Sequence, residues 1–120
     1  DRFKAVNDAR GHATGDAVLR AVAAAATTVV RQGDVLGRLG GEEFVVVAPG
    51  TDRDQAVQLA ERLREALPQA VLRSVGLRVT ASFGVSVLRP RESPESVLGR
   101  VDELMYQAKD DGRDRVSSAH

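Results

Sequence analysis

Residues 35–48 read V-L-G-R-L-G-G-E-E-F-V-V-V-A, with a double glycine between two apolar runs. The runs 35–39 and 43–48 are rich in β-branched and apolar side chains, which favour short strands when turn residues bound them. Gly40 and Gly41 tolerate the positive φ angles that a tight turn needs. The stretch therefore predicts a β-hairpin with the two glycines at its tip.

Amphipathic helices are predicted on both sides of this hairpin. Ahead of it, apolar residues recur at steps of three and four from Asp16 onward, and Gly33 is placed to end the helix. Behind it, the turn cluster 49–52 precedes a second apolar stripe over 56–67, which predicts a helix that ends at Pro68. Each helix has one face to bury.

The C-terminal half adds one clear strand and a third helix. Residues 77–87 alternate apolar and polar side chains, the period of a strand with one buried face. Ser93 is a good N-cap, Pro94 suits the first helical position, and an apolar stripe continues to Ala108. Helices alternating with strands, some joined as a hairpin, predict the α/β (α+β) class, with a central mixed, partly antiparallel sheet flanked by helices.

Composition restricts the class of protein. The 120 residues fit one domain, assigned to 1–120. The 17 basic residues balance 17 acidic ones, so no global charge favours a nucleic acid or an acidic membrane. Cysteine is absent, which excludes disulfides, thiolate metal sites and cysteine nucleophiles. The sequence shows neither a bilayer-length apolar stretch nor a signal peptide, so we expect a soluble domain. We expect the domain to be cytoplasmic, in a full-length protein that upstream segments could anchor to a membrane.

Two carboxylates directly follow the double glycine. Glu42 and Glu43 repel each other there, and a divalent cation would relieve the repulsion. Magnesium is usually held by one or two carboxylates together with substrate phosphates, and glycines let a nucleotide approach the backbone closely. The pattern favours metal-dependent phosphoryl chemistry, and the alternative is a Gly-Gly turn followed by solvated acids.

Motifs along almost the whole chain match one family, in its order and at its spacings. They are D-R-F-K-A-V-N-D at 1–8, G-H at 11–12, G-D at 15–16, G-G-E-E-F at 40–44, A-S-F-G-V-S at 81–86 and Y-Q-A-K-D-D-G-R at 106–113. Together they resemble the GGDEF domain of diguanylate cyclases, and agreement at this many fixed spacings is improbable by chance.

The resemblance implies a fold like the palm of nucleotide cyclases and polymerases, with Gly40, Gly41 and Phe44 in a signature loop at the active site. Each domain is expected to hold one GTP and to face a second domain in an antiparallel homodimer. The 3′-hydroxyl of each GTP then attacks the α-phosphate of the other, which yields cyclic di-GMP and two pyrophosphates. The family's first helix and first strand are missing, so the domain is expected to be N-terminally incomplete and a fragment of a longer polypeptide.

By the same resemblance, Glu42 is the metal ligand. Glu43 is its acidic neighbour, assigned to a second metal or to activation of the 3′-hydroxyl. The implied cofactor is Mg²⁺ or Mn²⁺, with two ions per active site. The family's first aspartate ligand would precede Asp1, so the chain alone is expected to bind metal poorly. Asp1 is not assigned as a direct metal ligand, and two roles remain open for it: a structural one, or support of the residues that bind the metal.

Asn7 and Asp16 resemble the family's guanine-binding residues. Guanine presents ring N–H and amine donors to a carboxylate or amide oxygen, and adenine lacks that donor pair. Without the resemblance, Asn7 would be interpreted as a turn residue and Asp16 as the N-cap of the helix that follows.

Lys4, Lys109 and Arg113 resemble the family's phosphate-binding cations, and Phe3 with Lys4 lies where backbone amides would contact the triphosphate. The chain has 15 arginines and two lysines, and both lysines fall on these positions. The alternative for Lys109 and Arg113 is stabilisation of the third helix's C-terminus through its dipole. Asp114 replaces the family's usual asparagine and adds a negative charge beside this cluster.

Arg31 and Asp34 form an R-x-x-D motif ahead of the double glycine, which resembles the family's inhibitory site for cyclic di-GMP. Arginine can bind guanine O6 and N7 together, and aspartate can accept from the opposite edge. Arg62 resembles the arginine that completes this site across the dimer. The alternative is a helix end, with Arg31 near the last carbonyls and Gly33 as the left-handed cap.

Three functions from different classes remain open. The first is an active diguanylate cyclase that its product inhibits. The second is a catalytically silent module that binds GTP or cyclic di-GMP as a sensor, and the third is a dimerisation domain without a ligand. Glu42 and Glu43 favour the first, since silent family members normally lose signature acids. The resemblance also implies an upstream sensor or receiver domain in the full-length protein.

Overall fold

A computed structural model describes residues 1–119. Along them lie four helices and four strands. They are α1 Phe3–Arg10, α2 His12–Val29, β1 Val35–Gly40, β2 Glu43–Val47, α3 Arg53–Val75, β3 Phe83–Val85, α4 Pro94–Asp110 and β4 Val116–Ser118.

The predicted hairpin is confirmed. β1 and β2 pair antiparallel, from Val35 opposite Val47 to Gly40 opposite Glu43, with an irregularity in the register after Arg38. Gly41 has a φ of 49°, the left-handed conformation that glycine adopts without a side-chain clash. The turn consists of Gly41 and Glu42, and Glu43 is the first residue of β2.

The helix predicted from Asp16 begins earlier and ends earlier than expected. α2 starts at His12, so Asp16 lies inside the helix, and its interpretation as an N-cap is wrong. The helix ends at Val29, where β-branched residues weaken it, and Gly33 lies in the following turn rather than at the helix end. α1 was not predicted, because its eight residues are too few to show a helical period and none of them is buried.

The helix predicted to end at Pro68 instead continues to Val75. Proline removes one helical hydrogen bond, yet Leu67 and Val71 on either side of it are buried, and that packing outweighs the local penalty. At the other end, Asp52 and Gln55 form a reciprocal capping box. The predicted stop was therefore wrong, and α3 is the longest described helix.

The strand predicted over 77–87 is present only as β3. It pairs in parallel with β4, which the sequence did not predict, and within residues 1–119 no other strand lies beside 77–82. A strand needs a neighbour, and alternation alone does not supply one. α4 is confirmed, and the Ser93 side chain accepts a hydrogen bond from the Ser96 backbone as an N-cap.

The α+β class is confirmed, and the strands form two separate pairs. The main core lies between α2 and α3, where Ala26 meets Leu59, Leu63 and Leu67, and partly buried side chains of the hairpin and β3 pack against it. This core fixes the hairpin to the helices. Among the described residues, no helix is long and apolar enough to cross a membrane.

One ion pair closes the loop before α4. The Arg100 guanidinium donates to both oxygens of Glu92, to Ser86 Oγ at 2.7 Å and to the Val87 carbonyl at 2.9 Å. The hydrogen bonds from Arg100, and then one from the Arg89 backbone, hold the pKa of the Glu92 carboxyl well below its usual range. This Arg100–Glu92 clamp ties the loop to the helix.

Candidate active site

The hairpin tip presents two carboxylates that have no protein partner. Glu42 is exposed and Glu43 is half-buried, and within residues 1–119 neither side chain makes a hydrogen bond or an ion pair with the protein. Arg38 secures the turn, because its Nε donates to the Gly41 carbonyl at 2.9 Å and its Nη2 donates to the same oxygen. Sequence reasoning missed Arg38, although a basic residue two positions before the double glycine was a visible signal.

The donor set at the tip fits a magnesium-type cation only in part. Among the described residues, no group of three or more histidine, cysteine, aspartate or glutamate side chains is placed to hold a metal. Glu42 and Glu43 supply carboxylate oxygens, which Mg²⁺ takes one or two at a time when substrate phosphates complete its coordination. The arrangement thus fits a cation that is shared with a bound triphosphate.

Asn7 lies against α2 in a position that leaves one polar atom unsatisfied. Its Oδ1 is buried and has no hydrogen-bond partner in the described part of the chain. A Cβ built on Gly15 would lie 1.7 Å from that oxygen and 3.1 Å from Phe3 Cζ, so only glycine allows this approach. Asn7 belongs to α1, so its interpretation as a turn residue is wrong.

Asp16 lines a cleft between α2 and the hairpin. The cleft has a volume of about 530 Å³, and its wall includes Arg20 of α2, Arg38 of β1 and Phe44 of β2. The structure therefore brings Asp16 and the signature residue Phe44 to one opening, while Asn7 is not part of the lining.

The predicted phosphate-binding residues come from both ends of the chain. Phe3 and Lys4 begin α1, Lys109 lies in the last turn of α4, and Arg113 follows that helix. Lys109 also has the position expected for a helix-dipole role.

Arg31 and Asp34 contact each other across the turn that follows α2. The Arg31 backbone donates to Asp34 Oδ2 at 2.9 Å, and Arg31 Nη2 donates to Thr51 Oγ1 at 2.5 Å. Arg31 and Asp34 line a depression of about 250 Å³ with the turn after β2. Arg62 lies on α3 and is not part of that lining, and Thr51 was not predicted.

Asp1 and Asp114 meet across the chain, in a cluster that we call the terminal junction: Asp1, Thr80, Ser82, the turn 112–115 and Arg64. The Asp1 carboxylate accepts hydrogen bonds from Ser82 Oγ at 2.7 Å, Thr80 Oγ1 at 2.8 Å and the Asp114 backbone N–H at 3.2 Å. Asp114 Oδ1 in turn accepts from Arg64 Nη1 at 3.2 Å. These contacts favour the structural role expected for Asp1, and they direct the Asp114 charge towards α3.

A family model described as diguanylate cyclase, GGDEF domain, matches residues 1–115. The chain belongs to the GGDEF domain family. The match includes the hairpin tip, the contact between α1 and α2, the R-x-x-D motif and the turn after α4, so all the predicted site residues lie within the matched range.

Three relatives show how far the GGDEF likeness extends. Diguanylate cyclase DgcM of Escherichia coli K12 is 43% identical over 119 residues, which are 99% of this chain but 29% of that protein. The structure of diguanylate cyclase SiaD from Pseudomonas aeruginosa, in complex with its activator SiaC, has a TM-score of 0.93 and 40% identity, over 99% of this chain and 46% of that one. The structure of the coiled coil and GGDEF domain of DgcB from Caulobacter crescentus, in complex with cyclic di-GMP, has a TM-score of 0.89 and 31% identity, over 99% of this chain and 65% of that one.

Proposed function

We propose that this GGDEF domain is the catalytic part of a diguanylate cyclase, which condenses two GTP molecules into cyclic di-GMP and two pyrophosphates. The observation that carries the proposal is the pair of carboxylates at the hairpin tip, neither of which has a hydrogen-bond or ion-pair partner within residues 1–119. The names of the relatives support it, since DgcM and SiaD are both diguanylate cyclases.

The guanine base is bound by Asn7 and Asp16. The buried Asn7 Oδ1 lacks a donor in the described protein, and guanine supplies ring N–H and amine donors that would satisfy it. Adenine presents no such donor pair and would leave that oxygen unsatisfied. A buried acceptor without a partner costs about 1–3 kcal/mol. The site therefore selects GTP over ATP, because adenine donates no hydrogen bond to this oxygen.

The triphosphate is bound by the cations at the two ends of the chain. Lys4, Lys109 and Arg113 neutralise phosphate charge, and the backbone amides around Phe3 and Lys4 begin α1, where a helix presents N–H groups without intrahelical partners. Ammonium and guanidinium groups bind phosphate oxygens through charge-assisted hydrogen bonds. The three side chains hold the α-phosphate near the hairpin tip.

The tip carboxylates act on the reacting groups. Glu42 would hold Mg²⁺ or Mn²⁺, with two ions expected per site, and a bound metal neutralises charge on the phosphate oxygens during in-line displacement. Glu43 orients the 3′-hydroxyl and accepts its proton as the oxygen attacks the α-phosphate. Pyrophosphate leaves as the new phosphodiester bond forms.

Two domains are needed because each domain holds one GTP. In an antiparallel homodimer, the two hairpin tips face each other and each 3′-hydroxyl reaches the α-phosphate of the opposite nucleotide. Because the substrate is GTP, we expect the reaction to take place in the cytoplasm. The proposal also includes control by an upstream sensor or receiver domain. The chain spans 29% of the length of DgcM, so the activity of the whole protein is part of what is proposed.

The first experiment measures cyclic di-GMP formation from GTP and Mg²⁺ by the full natural polypeptide, with Glu42→Ala beside it. Glu65→Ala is the matched control, since Glu65 is an exposed glutamate of α3. We expect product from the wild type and from Glu65→Ala, and almost none from Glu42→Ala. A folded dimer that binds GTP but forms no product would reject the cyclase and leave the silent sensor.

Product inhibition is proposed at Arg31 and Asp34, with Arg62 contributed from the second domain of the dimer. The contact between Arg31 and Asp34 beside an open depression supports a site for a guanine edge, and the related DgcB structure contains cyclic di-GMP. The measured quantity is the concentration of cyclic di-GMP that halves the initial rate. Arg31→Ala should raise this concentration about tenfold or more. Arg73→Ala, an exposed arginine of α3, should leave it unchanged. Equal inhibition of all three proteins would contradict the assignment.

A further inference from the structure

The turn that carries Arg113 has a backbone that needs support from outside. Arg113 and Asp114 have φ angles of 64° and 47°, so two consecutive residues with side chains adopt the left-handed conformation. Each such residue costs about 1–2 kcal/mol relative to the right-handed form. A turn of this sequence would leave that conformation unless other parts of the molecule held it.

Contacts to α4, to Asp1 and to α3 hold the turn, in addition to the hydrogen bond of 3.1 Å that Arg115 Nε donates to the Arg113 carbonyl within it. The Arg113 backbone donates to the Ala108 carbonyl at 3.0 Å, the Asp114 backbone donates to Asp1 Oδ2 at 3.2 Å, and Asp114 Oδ1 accepts from Arg64 Nη1 at 3.2 Å. The contact to Asp1 is the one that joins the turn to the start of the chain, immediately before Phe3 and Lys4.

The Asp1 carboxylate is itself fixed on its other side. Ser82 Oγ donates to Oδ1 and Thr80 Oγ1 donates to Oδ2, so three protein groups determine the orientation of this side chain. A carboxylate held in this way forms charge-assisted hydrogen bonds that are stronger than neutral ones. Asp1 can therefore impose its position on the Asp114 backbone.

We propose that Asp1 is a positioning residue for Arg113: by holding the Asp114 N–H it keeps the turn in its left-handed form, and so directs the Arg113 guanidinium towards the phosphates of the bound nucleotide. This inference rests on the proposed function, since it concerns the same phosphate site. Asp1 acts through the turn and does not contact the substrate.

A competing role for Asp1 is that of a metal ligand, and one substitution separates the two. In Asp1→Asn, the amide oxygen still accepts from the Asp114 backbone, and the amide nitrogen donates to Ser82 Oγ, whose hydroxyl also accepts. The charge is lost but the hydrogen bond to the turn remains. Positioning requires the hydrogen bond, whereas metal binding requires the charge.

The test compares KM for GTP, kcat and the Mg²⁺ requirement in the full natural polypeptide for wild type, Asp1→Ala, Asp1→Asn, Arg113→Ala and the double variant Asp1→Ala/Arg113→Ala. We expect Asp1→Ala to raise KM about tenfold with a smaller change in kcat, and Asp1→Asn to stay within about twofold of wild type at the same Mg²⁺ concentration. In the Arg113→Ala background, Asp1→Ala should raise KM no further, because the group it positions is gone.

Other outcomes overturn the inference in distinguishable ways. Additive effects of Asp1→Ala and Arg113→Ala would show that Asp1 does not act through Arg113. Failure of Asp1→Asn that extra Mg²⁺ repairs would show a metal ligand instead. A wild-type protein that neither binds nor converts GTP would reject the proposed function and this inference together, whereas a working enzyme that is unaffected by Asp1→Ala would reject the inference alone.

A second pair of variants applies if circular dichroism shows that Asp1→Ala does not fold. Asp114→Ala removes the contact with Arg64 and leaves a residue that disfavours a φ of 47°, whereas Asp114→Gly removes the same contact at no conformational cost. We expect the alanine variant to raise KM for GTP more than the glycine variant. Equal KM values would show that the left-handed turn does not govern phosphate binding.

Discussion

The hairpin tip and the terminal junction both carry predicted site residues, but they are built in opposite ways. At the tip, Glu42 and Glu43 are neighbours in sequence, and neither carboxylate bonds to the protein within residues 1–119. At the junction, Asp1 and Asp114 are 113 positions apart, and both carboxylates accept hydrogen bonds. The difference teaches that residue type does not settle the role of an acidic group: the unpartnered pair is available to a cation, whereas the partnered pair holds the chain together.

The largest effect is expected from Glu42→Gln at the tip. Cyclic di-GMP formation should fall by about 100-fold or more because the ligand charge is lost. The melting temperature should remain that of wild type, since Glu42 has no partner in the described protein. Calorimetry beside the rate assay checks both. A large loss of stability would break the contrast with the junction, where Asp1→Ala is expected to lower the melting temperature.

Gly15→Ala, at the contact between α1 and α2, is expected to have a smaller effect than Glu42→Gln. It should lower both the stability of the fold and the affinity for GTP. The new Cβ would lie 1.7 Å from Asn7 Oδ1, so the asparagine must move, at a cost of about 1–3 kcal/mol for overpacking. GTP affinity, measured by calorimetric titration, should fall about tenfold or more.

Gly99→Ala is the matched control for that change. Gly99 lies in α4, with no heavy atom within 4 Å of an added Cβ, so alanine should stabilise the helix by about 0.5–1 kcal/mol without changing GTP affinity. Equal affinity for the Gly15 and Gly99 variants would contradict the assignment of Asn7 to the guanine.

The smallest effect on activity is expected from Glu92→Gln in the Arg100–Glu92 clamp. Because Glu92 belongs neither to the hairpin tip nor to the terminal junction, this variant tests a partnered carboxylate outside the proposed site. The folded protein holds the pKa of Glu92 below its unfolded value, so the clamp stabilises the fold above about pH 4.5 and this contribution is lost as the pH falls further. The variant should unfold at lower denaturant concentration than wild type at pH 7, and the difference should shrink below about pH 4.5. Activity at neutral pH should be unchanged. A difference in stability that is independent of pH would contradict the role assigned to the Glu92 charge.

Features set by neighbouring residues could be predicted from the sequence. The hairpin follows from two apolar runs around Gly40 and Gly41, and α4 begins where Ser93 and Pro94 indicate. The site residues came from their match to family motifs, and the structure places many of them near the tip, the α1–α2 contact and the turn after α4. Their individual roles remain proposals.

Features set by distant residues could not be predicted. α3 continues past Pro68 because Val71 is fully buried against other elements, which local propensity does not register. The strand predicted over 77–87 forms only as β3, Phe83–Val85, because pairing partners are a property of the fold. Thr51 and Arg64 were missed because nothing in their own neighbourhoods indicates that Arg31 and Asp114 will bond to them.

The hydrogen bond between Asp1 and Asp114 also has a consequence for how the protein is made. Asp1 and Asp114, which are 113 positions apart, must meet before the proposed phosphate site is complete, and contacts of such large sequence separation form late because closing the long intervening loop costs entropy. The hairpin, α2 and α3 lie within residues 12–75, so all three are synthesised before residue 114. On the proposed function, the signature carboxylates thus precede a working nucleotide site, and an interrupted chain is unable to deplete GTP or raise a false signal.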